Sequence, residues 1–281
     1  MPAQGTRIRD TIVVALPAGE IPPFINRHLA SSASLLDCRF QPITPPASTF
    51  ARSGDSLLVP GDSSLPALRL EVIARGADPR DLIDGGVDVV VTTSGPAIDY
   101  ARSRGDVRLV PLAWSTIYVI GFPREAPPLE LTARLRDEIA RDAMRGHAIP
   151  ADSLGWWGPE ESCRVPQNNP VYRLPGIGIS DHDPIARAVA ERLVAVVGPA
   201  GPRRLIPFSP TQFDTITARG AAAAFVFPLP RLRPGGCEGV TPLPPGWRIE
   251  PLIQIRATAI VRPGVPAFLV TADGIRFGPA P

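Results

Sequence analysis

Short apolar runs separated by turn residues recur along the chain, and they predict buried strands. Thr11–Leu16 is a β-branched run closed by Pro17, and Val87–Thr92 is almost continuously apolar. A strand without polar alternation is typical of a parallel sheet that is covered on both faces. Further strands are predicted at Leu57–Val59, Leu68–Ala74, Arg204–Pro207 and Ala221–Phe227, with a closing hairpin over Val265–Phe277 that turns at Asp273-Gly274.

Helical segments alternate with these runs. Leu129–Arg145 carries four apolar residues at spacings of four on an otherwise charged segment, and Gly146 follows it, which is the pattern of an amphipathic helix with a glycine stop. Shorter helices are predicted at Pro79–Asp84, Ala97–Ser103, Asp183–Val197 and Pro210–Arg219. The alternation of strands and helices predicts an α/β protein with a parallel sheet.

Two apolar segments, Arg108–Phe122 and Arg248–Arg262, are longer than ordinary strands. Segments of this length are expected where a chain leaves one lobe and later returns, and we expect Pro111 to break the first of them. The chain has 281 residues, which is near the size at which a single core stops growing. We therefore predict a two-lobed α/β fold with a hinge of crossover strands. Residues 1–120 and 247–281 would form one lobe, and residues 121–246 the other.

The amino-acid composition excludes several kinds of catalytic and binding chemistry. Hydrophobic residues make up 44% of the chain and charged residues 20%, as in packed globular domains. Lysine is absent, and all 29 basic side chains are arginines, which excludes Schiff-base chemistry and the phosphate-binding lysine of P-loops. The net charge is +2 and no basic block is interleaved with aromatic residues, so we expect no nucleic-acid partner.

Metal and nucleotide motifs are weak or absent. The three cysteines form no CxxC pair, which gives no support to a zinc ribbon, while one disulfide with a free thiol stays open. Ser180-Asp181-His182-Asp183 has metal-ligating residue types, but Asp183 before Pro184 favours a helix cap. Gly176-Ile177-Gly178 lacks the third glycine and the preceding strand of a dinucleotide fingerprint. We expect neither a metal nor a cofactor.

Thr92, Thr93, Ser94 and Gly95 follow a predicted parallel strand and precede a helix. Ligands of open α/β sheets bind beyond the carboxyl ends of strands, and a helix start favours an anion. A plain helix cap is the alternative, and both interpretations stay open.

Aromatic and basic residues elsewhere are further candidate ligand contacts. Trp114, Ser115 and Tyr118 lie on the first crossing segment, where core packing is the alternative. Trp156–Trp157 lies in a loop rich in glycine and proline, and these indoles either cover a pocket or pack within the loop. Arg256 lies on the return segment and can hold a carboxylate bidentately, with a surface ion pair as the alternative.

Several segments, taken in order, resemble the extracellular solute-binding proteins of family 5, the peptide- and nickel-binding group with the type II periplasmic fold. Asp84–Val119 resembles the family's sheet strand, helix and interlobe crossover, and Leu135–Asp152 a later helix with its loop. Asp183–Val194 is similar to an amphipathic helix of the family, and Gln212–Phe227 and Glu250–Pro266 to its last lobe elements and return strand. Family members are typically longer, so the chain resembles a shortened version.

The resemblance implies a solute-binding protein of an ABC-type uptake system, which binds a peptide or another small organic ligand in a cleft between the lobes. It further implies an ABC transporter permease as partner and a periplasmic or other extracytoplasmic location, and we expect a monomer. Because Met1–Asp10 lacks the apolar core of a secretory signal, either the signal was removed or the protein is cytoplasmic. A cytoplasmic ligand sensor or remnant of the binding fold, and a small-molecule enzyme on the same scaffold, stay open as alternatives.

Overall fold

The chain forms two compact units that are connected twice. The computed structural model describes residues 11–16, 51–53, 56–59, 67–74, 77–126, 131–144, 147–151, 173–197, 204–231, 243–265, 268–271 and 274–277. Unit 1 comprises Met1–Ala113 and Ala257–Pro281, and unit 2 comprises Trp114–Arg256. The predicted contacts Trp156 and Trp157, the three cysteines and the turn residue Asp273 lie outside the described residues.

Unit 1 is built on a mixed sheet. Its strands and helices are β1 (Thr11–Leu16), β2 (Ala51–Ser53), β3 (Ser56–Val59), β4 (Ala67–Val72), α1 (Pro79–Asp84), β5 (Val89–Thr92) and α2 (Gly95–Arg104). Strand β1 pairs in parallel with β4 and with β5, while β2, β3 and β4 pair antiparallel. The parallel strands predicted from continuous apolar runs are therefore present, and all four residues of β5 are buried.

The last part of strand β11 (Trp247–Val261) also belongs to unit 1. It pairs antiparallel with β5, so that Thr258 lies opposite Thr92. Strands β12 (Phe268–Thr271) and β13 (Gly274–Phe277) then form the predicted antiparallel hairpin.

The strands of unit 2 also pair both in parallel and antiparallel. Its elements are β6 (Arg108–Pro123, from Trp114 onward), α3 (Ala133–Met144), β7 (Ala148–Pro150), β8 (Leu174–Ser180), α4 (Pro184–Val197), β9 (Leu205–Phe208), α5 (Pro210–Arg219), β10 (Ala222–Pro230) and the first part of β11. Strand β10 pairs antiparallel with β6 and in parallel with β8, which pairs in parallel with β9. Strand β7 pairs antiparallel with β11.

Two apolar clusters stabilise unit 2. Ile139 of α3 and Leu193 of α4 pack with Tyr118 and Ile120 of β6 in one cluster. The other cluster holds Phe213, Phe225, Phe227 and Trp247, and the Phe213 and Phe225 rings meet edge to face with centroids 6.0 Å apart. Burial of large side chains of this kind is the main favourable contribution to folding.

Strands β6 and β11 both continue from one unit into the other. The units meet at residues 113/114 and 256/257, whereas the sequence prediction set the lobe boundaries at 120/121 and 246/247. The expectation that Pro111 breaks the first segment is wrong, because β6 runs through it. Pro111 is exposed and lies outside the stretch from Thr116 to Gly121 that pairs with β10, so its missing N–H removes no bond of that ladder.

Strands β2, β7 and β8 were not predicted, and β8 is the informative case. Gly176 and Gly178 lie within it, so they are part of a strand and do not form a turn that follows one. A Cβ on Gly176 would lie 2.6 Å from the carbonyl oxygen of Arg204, and one on Gly178 would overlap the ring of Phe225. These glycines therefore allow close packing of β8 against its neighbours.

We expect Gly178→Ala to lower the free energy of unfolding by about 1–3 kcal/mol, because the added methyl group overlaps Phe225 in a filled core. Phe225→Leu should relieve this overlap, so the double variant should lose less stability than the sum of the two single variants. Urea denaturation of the four proteins measures this coupling. Additive losses would show that Phe225 is not the obstacle.

Candidate ligand-binding residues

The turn between β5 and α2 is a helix cap. The backbone N–H of Ser94 donates to Thr92 Oγ1 at 3.0 Å, and that of Ala97 donates to Ser94 Oγ at 3.4 Å. Ile98 N–H donates to the Ser94 carbonyl oxygen at 3.0 Å, and Pro96 has no N–H to offer. Most donors of this helix start therefore already have acceptors within the chain.

The burial of this turn is uneven. Thr92 is only 3% exposed and Gly95 is buried, while Thr93 and Ser94 are half-buried. The structure thus contains the cap that was one of the two interpretations of Thr92, Thr93, Ser94 and Gly95. Anion binding at this turn stays a prediction.

Trp114 and Arg256 form a stacked pair in unit 2. They are its first and last residues, both are half-buried, and the guanidinium carbon of Arg256 lies 4.5 Å from the centroid of the Trp114 ring. This geometry is a cation–π interaction. Among the described residues no carboxylate lies within ion-pair distance of Arg256, so in that part of the chain the stacked arrangement replaces the ion pair that was its alternative.

Ser115 does not join this pair. Ser115 follows Trp114 directly on β6, where successive side chains alternate between the faces of the strand. It is exposed, lies 3.5 Å from Thr116 Oγ1, and the Ser115 carbonyl accepts a hydrogen bond from Arg231 N–H at 2.8 Å. Contact of a ligand with Ser115 stays a prediction.

Tyr118 lies in the core of unit 2. Its side chain is 5% exposed, and its hydroxyl donates to the Asp183 carboxylate, with 3.0 Å to each oxygen. Burial, together with the negative charge of Asp183, raises the pKa of Tyr118 well above its usual value. Tyr118 therefore ties β6 to the beginning of α4.

Asp183 caps α4, as predicted. Its Oδ1 accepts hydrogen bonds from the backbone N–H groups of Ile185 at 3.0 Å and Ala186 at 2.8 Å. Burial raises the pKa of Asp183, although the hydrogen bonds from Ala186, Tyr118 and Ile185 act in the opposite direction. His182 and Asp181 are exposed, and the described residues contain no group of three or more side chains suited to holding a metal ion.

Gln254 is a polar residue that the sequence reasoning missed. It lies two positions before Arg256 on β11, so the two side chains share one face of the strand. Gln254 is 7% exposed, and its Oε1 has no hydrogen-bond donor within the described part of the chain. The signal available in the sequence was the alternation of Gln254, Arg256 and Thr258 with apolar residues.

Comparisons of sequence gave no match, either to a family model or to a curated protein. Comparison with solved structures gave several matches. NikA from Brucella suis in complex with Fe(III)-EDTA matches with a TM-score of 0.53 and 11% identity, over 83% of this chain and 68% of that one. NikZ from Campylobacter jejuni in complex with Ni(L-His) matches with a TM-score of 0.49 and 8% identity, over 76% of this chain and 62% of that one.

A dipeptide-binding protein from Pseudoalteromonas sp. SM9913 in complex with Met-Leu also matches, with a TM-score of 0.49 and 11% identity over 82% of this chain. This chain covers only 63% of that protein and 62% of NikZ. The match to NikA shows the fold, and the predicted α/β fold of the periplasmic-binding-protein type is confirmed. No helix among the described residues is long and apolar enough to span a membrane.

We expect Tyr118→Phe to lower the free energy of unfolding at pH 7 by about 2 kcal/mol, because a buried hydrogen bond to a carboxylate is lost. The folded pKa of Tyr118 is raised above its unfolded value of about 10. Its contribution is therefore complete below about pH 10 and is lost as the pH rises through the folded pKa. Urea denaturation between pH 7 and pH 10.5 should show a steeper loss in the wild type than in Tyr118→Phe.

Tyr100→Phe is the matched control, because Tyr100 also donates to a carboxylate, that of Asp84, but through a hydrogen bond that is exposed. Its loss at pH 7 should be smaller, since water replaces the bond. Equal losses in the two variants would contradict the structural role of Tyr118.

Proposed function

We propose that the chain is a solute-binding protein of an ABC-type uptake system, which binds a peptide or another small organic solute and catalyses no reaction on it. The observation that carries the proposal is the fold shared with NikA, a match that extends over 83% of this chain. Fold alone is an analogy for function. The residues of unit 2 add chemical support to it.

The Arg256–Trp114 pair combines the features of a small-molecule contact. Binding sites for small ligands pair apolar or aromatic surface with a few positioned polar groups, and here a guanidinium lies 4.5 Å from an indole ring centroid. Both side chains are half-buried, so neither is sealed in the core. They are the contacts on which the proposal relies, while Thr92–Gly95, Ser115 and Trp156–Trp157 stay predicted contacts.

One buried titratable pair of unit 2 is used to hold the fold together. An enzyme on this scaffold needs a titratable residue with a hydrogen-bonded partner that can reach a substrate. In the described part of unit 2, Tyr118 and Asp183 form a hydrogen-bonded titratable pair, and Asp183 uses its Oδ1 to hold the start of α4. This pair therefore has a structural task in the folded protein.

Location and partner follow from the same proposal. A solute-binding protein of this kind works outside the cytoplasm and delivers its ligand to an ABC transporter permease, and we propose both for this chain. Fractionation of cells that express the native gene would test the location.

We expect one chemical class within a library of peptides, amino acids, sugars and metal ions to raise the melting temperature of the purified protein. At a ligand concentration of 100 times Kd, mass action stabilises the folded state by about 2.7 kcal/mol. The same ligand should change the tryptophan fluorescence. Thermal melts and fluorescence titrations make this test.

The Trp114→Phe variant tests whether a bound ligand contacts Trp114 itself. The variant keeps an aromatic ring for stacking, so the thermal shift should persist while the part of the fluorescence change that comes from Trp114 is lost. A fluorescence change of unaltered size would contradict contact at Trp114. If no compound raises the melting temperature, the solute-binding proposal is contradicted.

A further inference from the structure

We infer that Arg256, stacked on Trp114, forms with Gln254 a binding site for a carboxylate that carries a neighbouring N–H group. This is the chemistry of a peptide C-terminus or of an N-acylated amino acid. The inference names a ligand class for the proposed solute-binding function and rests on that function for its biological meaning. The site itself can be tested separately.

The contact with Trp114 positions the guanidinium of Arg256 and leaves N–H donors that can bind a ligand. A guanidinium carries several N–H donors, and a cation–π contact leaves most of them able to bind an acceptor. The guanidinium carbon of Arg256 lies 4.5 Å from the Trp114 ring centroid, and this contact restrains the group. An arginine fixed in this way loses little conformational freedom when it binds an anion, and its fork matches the two oxygens of a carboxylate.

Two other stacked arginines in the described part of unit 2 provide the comparison. Arg173 lies over Trp247 at 5.8 Å and donates to Glu125 at 2.8 Å. Arg248 lies over Phe122 at 4.8 Å and donates to the Ala126 carbonyl at 3.0 Å. Each has a protein acceptor, whereas Arg256 has none among the described residues. Arg256 is therefore the stacked arginine whose donors are left for a ligand.

Gln254 adds an acceptor on the same face of β11. It lies two residues from Arg256, about 7 Å along the strand, and its buried Oε1 lacks a donor in the described part of the chain. A buried acceptor without a donor is costly, so a ligand N–H that reaches it gains free energy. A carboxylate for Arg256 and an adjacent N–H for Gln254 together describe an acylated α-amino acid.

The test uses three related probes and the indole and arginine signals of the full chain. N-acetyl-leucine has both the carboxylate and the N–H, N-acetyl-leucinamide lacks the carboxylate, and 4-methylpentanoate lacks the acetamido group and with it the N–H. The protein contains four tryptophans, so the Trp114 indole signal in a nitrogen-15 spectrum can be assigned with Trp114→Phe. N-acetyl-leucine should shift the Trp114 indole and Arg256 Nε signals, with the tightest binding of the three.

Substitutions of Arg256 test its role in binding the carboxylate. Arg256→Gln should weaken binding of N-acetyl-leucine about tenfold to hundredfold and bring it to the level of N-acetyl-leucinamide. Arg256→Lys keeps the charge without the planar fork, so its loss should be intermediate. Arg187→Gln, the same change at an exposed position of α4, is the matched control and should leave the affinity unchanged.

Gln254→Met keeps the volume and removes the acceptor. It should weaken N-acetyl-leucine several-fold and leave 4-methylpentanoate unaffected. Equal weakening of both probes by this variant would overturn the role of Gln254.

The outcomes separate this inference from the proposed function. If a library compound binds but the carboxylate and amide probes bind alike and Arg256→Gln changes nothing, the carboxylate site is overturned and solute binding stands. If N-acetyl-leucine shifts the Trp114 signal while no library compound stabilises the protein, the site stands and the transport proposal falls. If the probes leave the spectrum unchanged, the inference is overturned.

Discussion

A buried polar side chain needs a hydrogen-bond partner. The candidate residues Gln254 and Arg256 lie on β11, a largely buried strand, so this requirement applies to them. The strand is mainly buried from Pro251 to Val261, and its apolar residues join the cores of both units. Thr258 lies opposite Thr92 in the pairing of β11 with β5, Arg256 stacks on Trp114, and Gln254 keeps an acceptor without a described donor. These polar groups of one strand are the basis of the carboxylate site that we propose.

The parts of the fold that could be predicted are those fixed by local sequence. Helices α1 and α5 have the predicted bounds, because a proline at the start and a glycine just after the end mark each of them. Strand β8 could not be predicted, since Pro175, Gly176 and Gly178 have low strand propensity. Gly178 is required there by the ring of Phe225 on a neighbouring strand, and a contact between residues so far apart in sequence is not visible in a local pattern.

The candidate site also has features that local sequence predicts and features that depend on distant residues. Ser94 and Asp183 act as helix caps, which their positions before helical segments indicated. Trp114 and Arg256 were each candidate contacts, but their stacking depends on the neighbouring positions of β6 and β11 in the sheet. Tyr118 was a candidate contact because it lies on the same segment as Trp114. Its place in the core depends on α4, whose capping carboxylate supplies the acceptor for the buried hydroxyl.

The absence of lysine gives the arginines of this chain a distinctive role. A lysine ammonium is a strongly hydrated point charge, whereas a guanidinium is planar and weakly hydrated, and it can stack on a ring while its edge binds an acceptor. Arg173 and Arg248 show both contacts at once, each with an aromatic ring beneath and an oxygen at the edge. Arg256 has the ring without a described oxygen. A half-buried cation gains from an anion that replaces lost hydration, and this is the reason for proposing a carboxylate as the partner of Arg256.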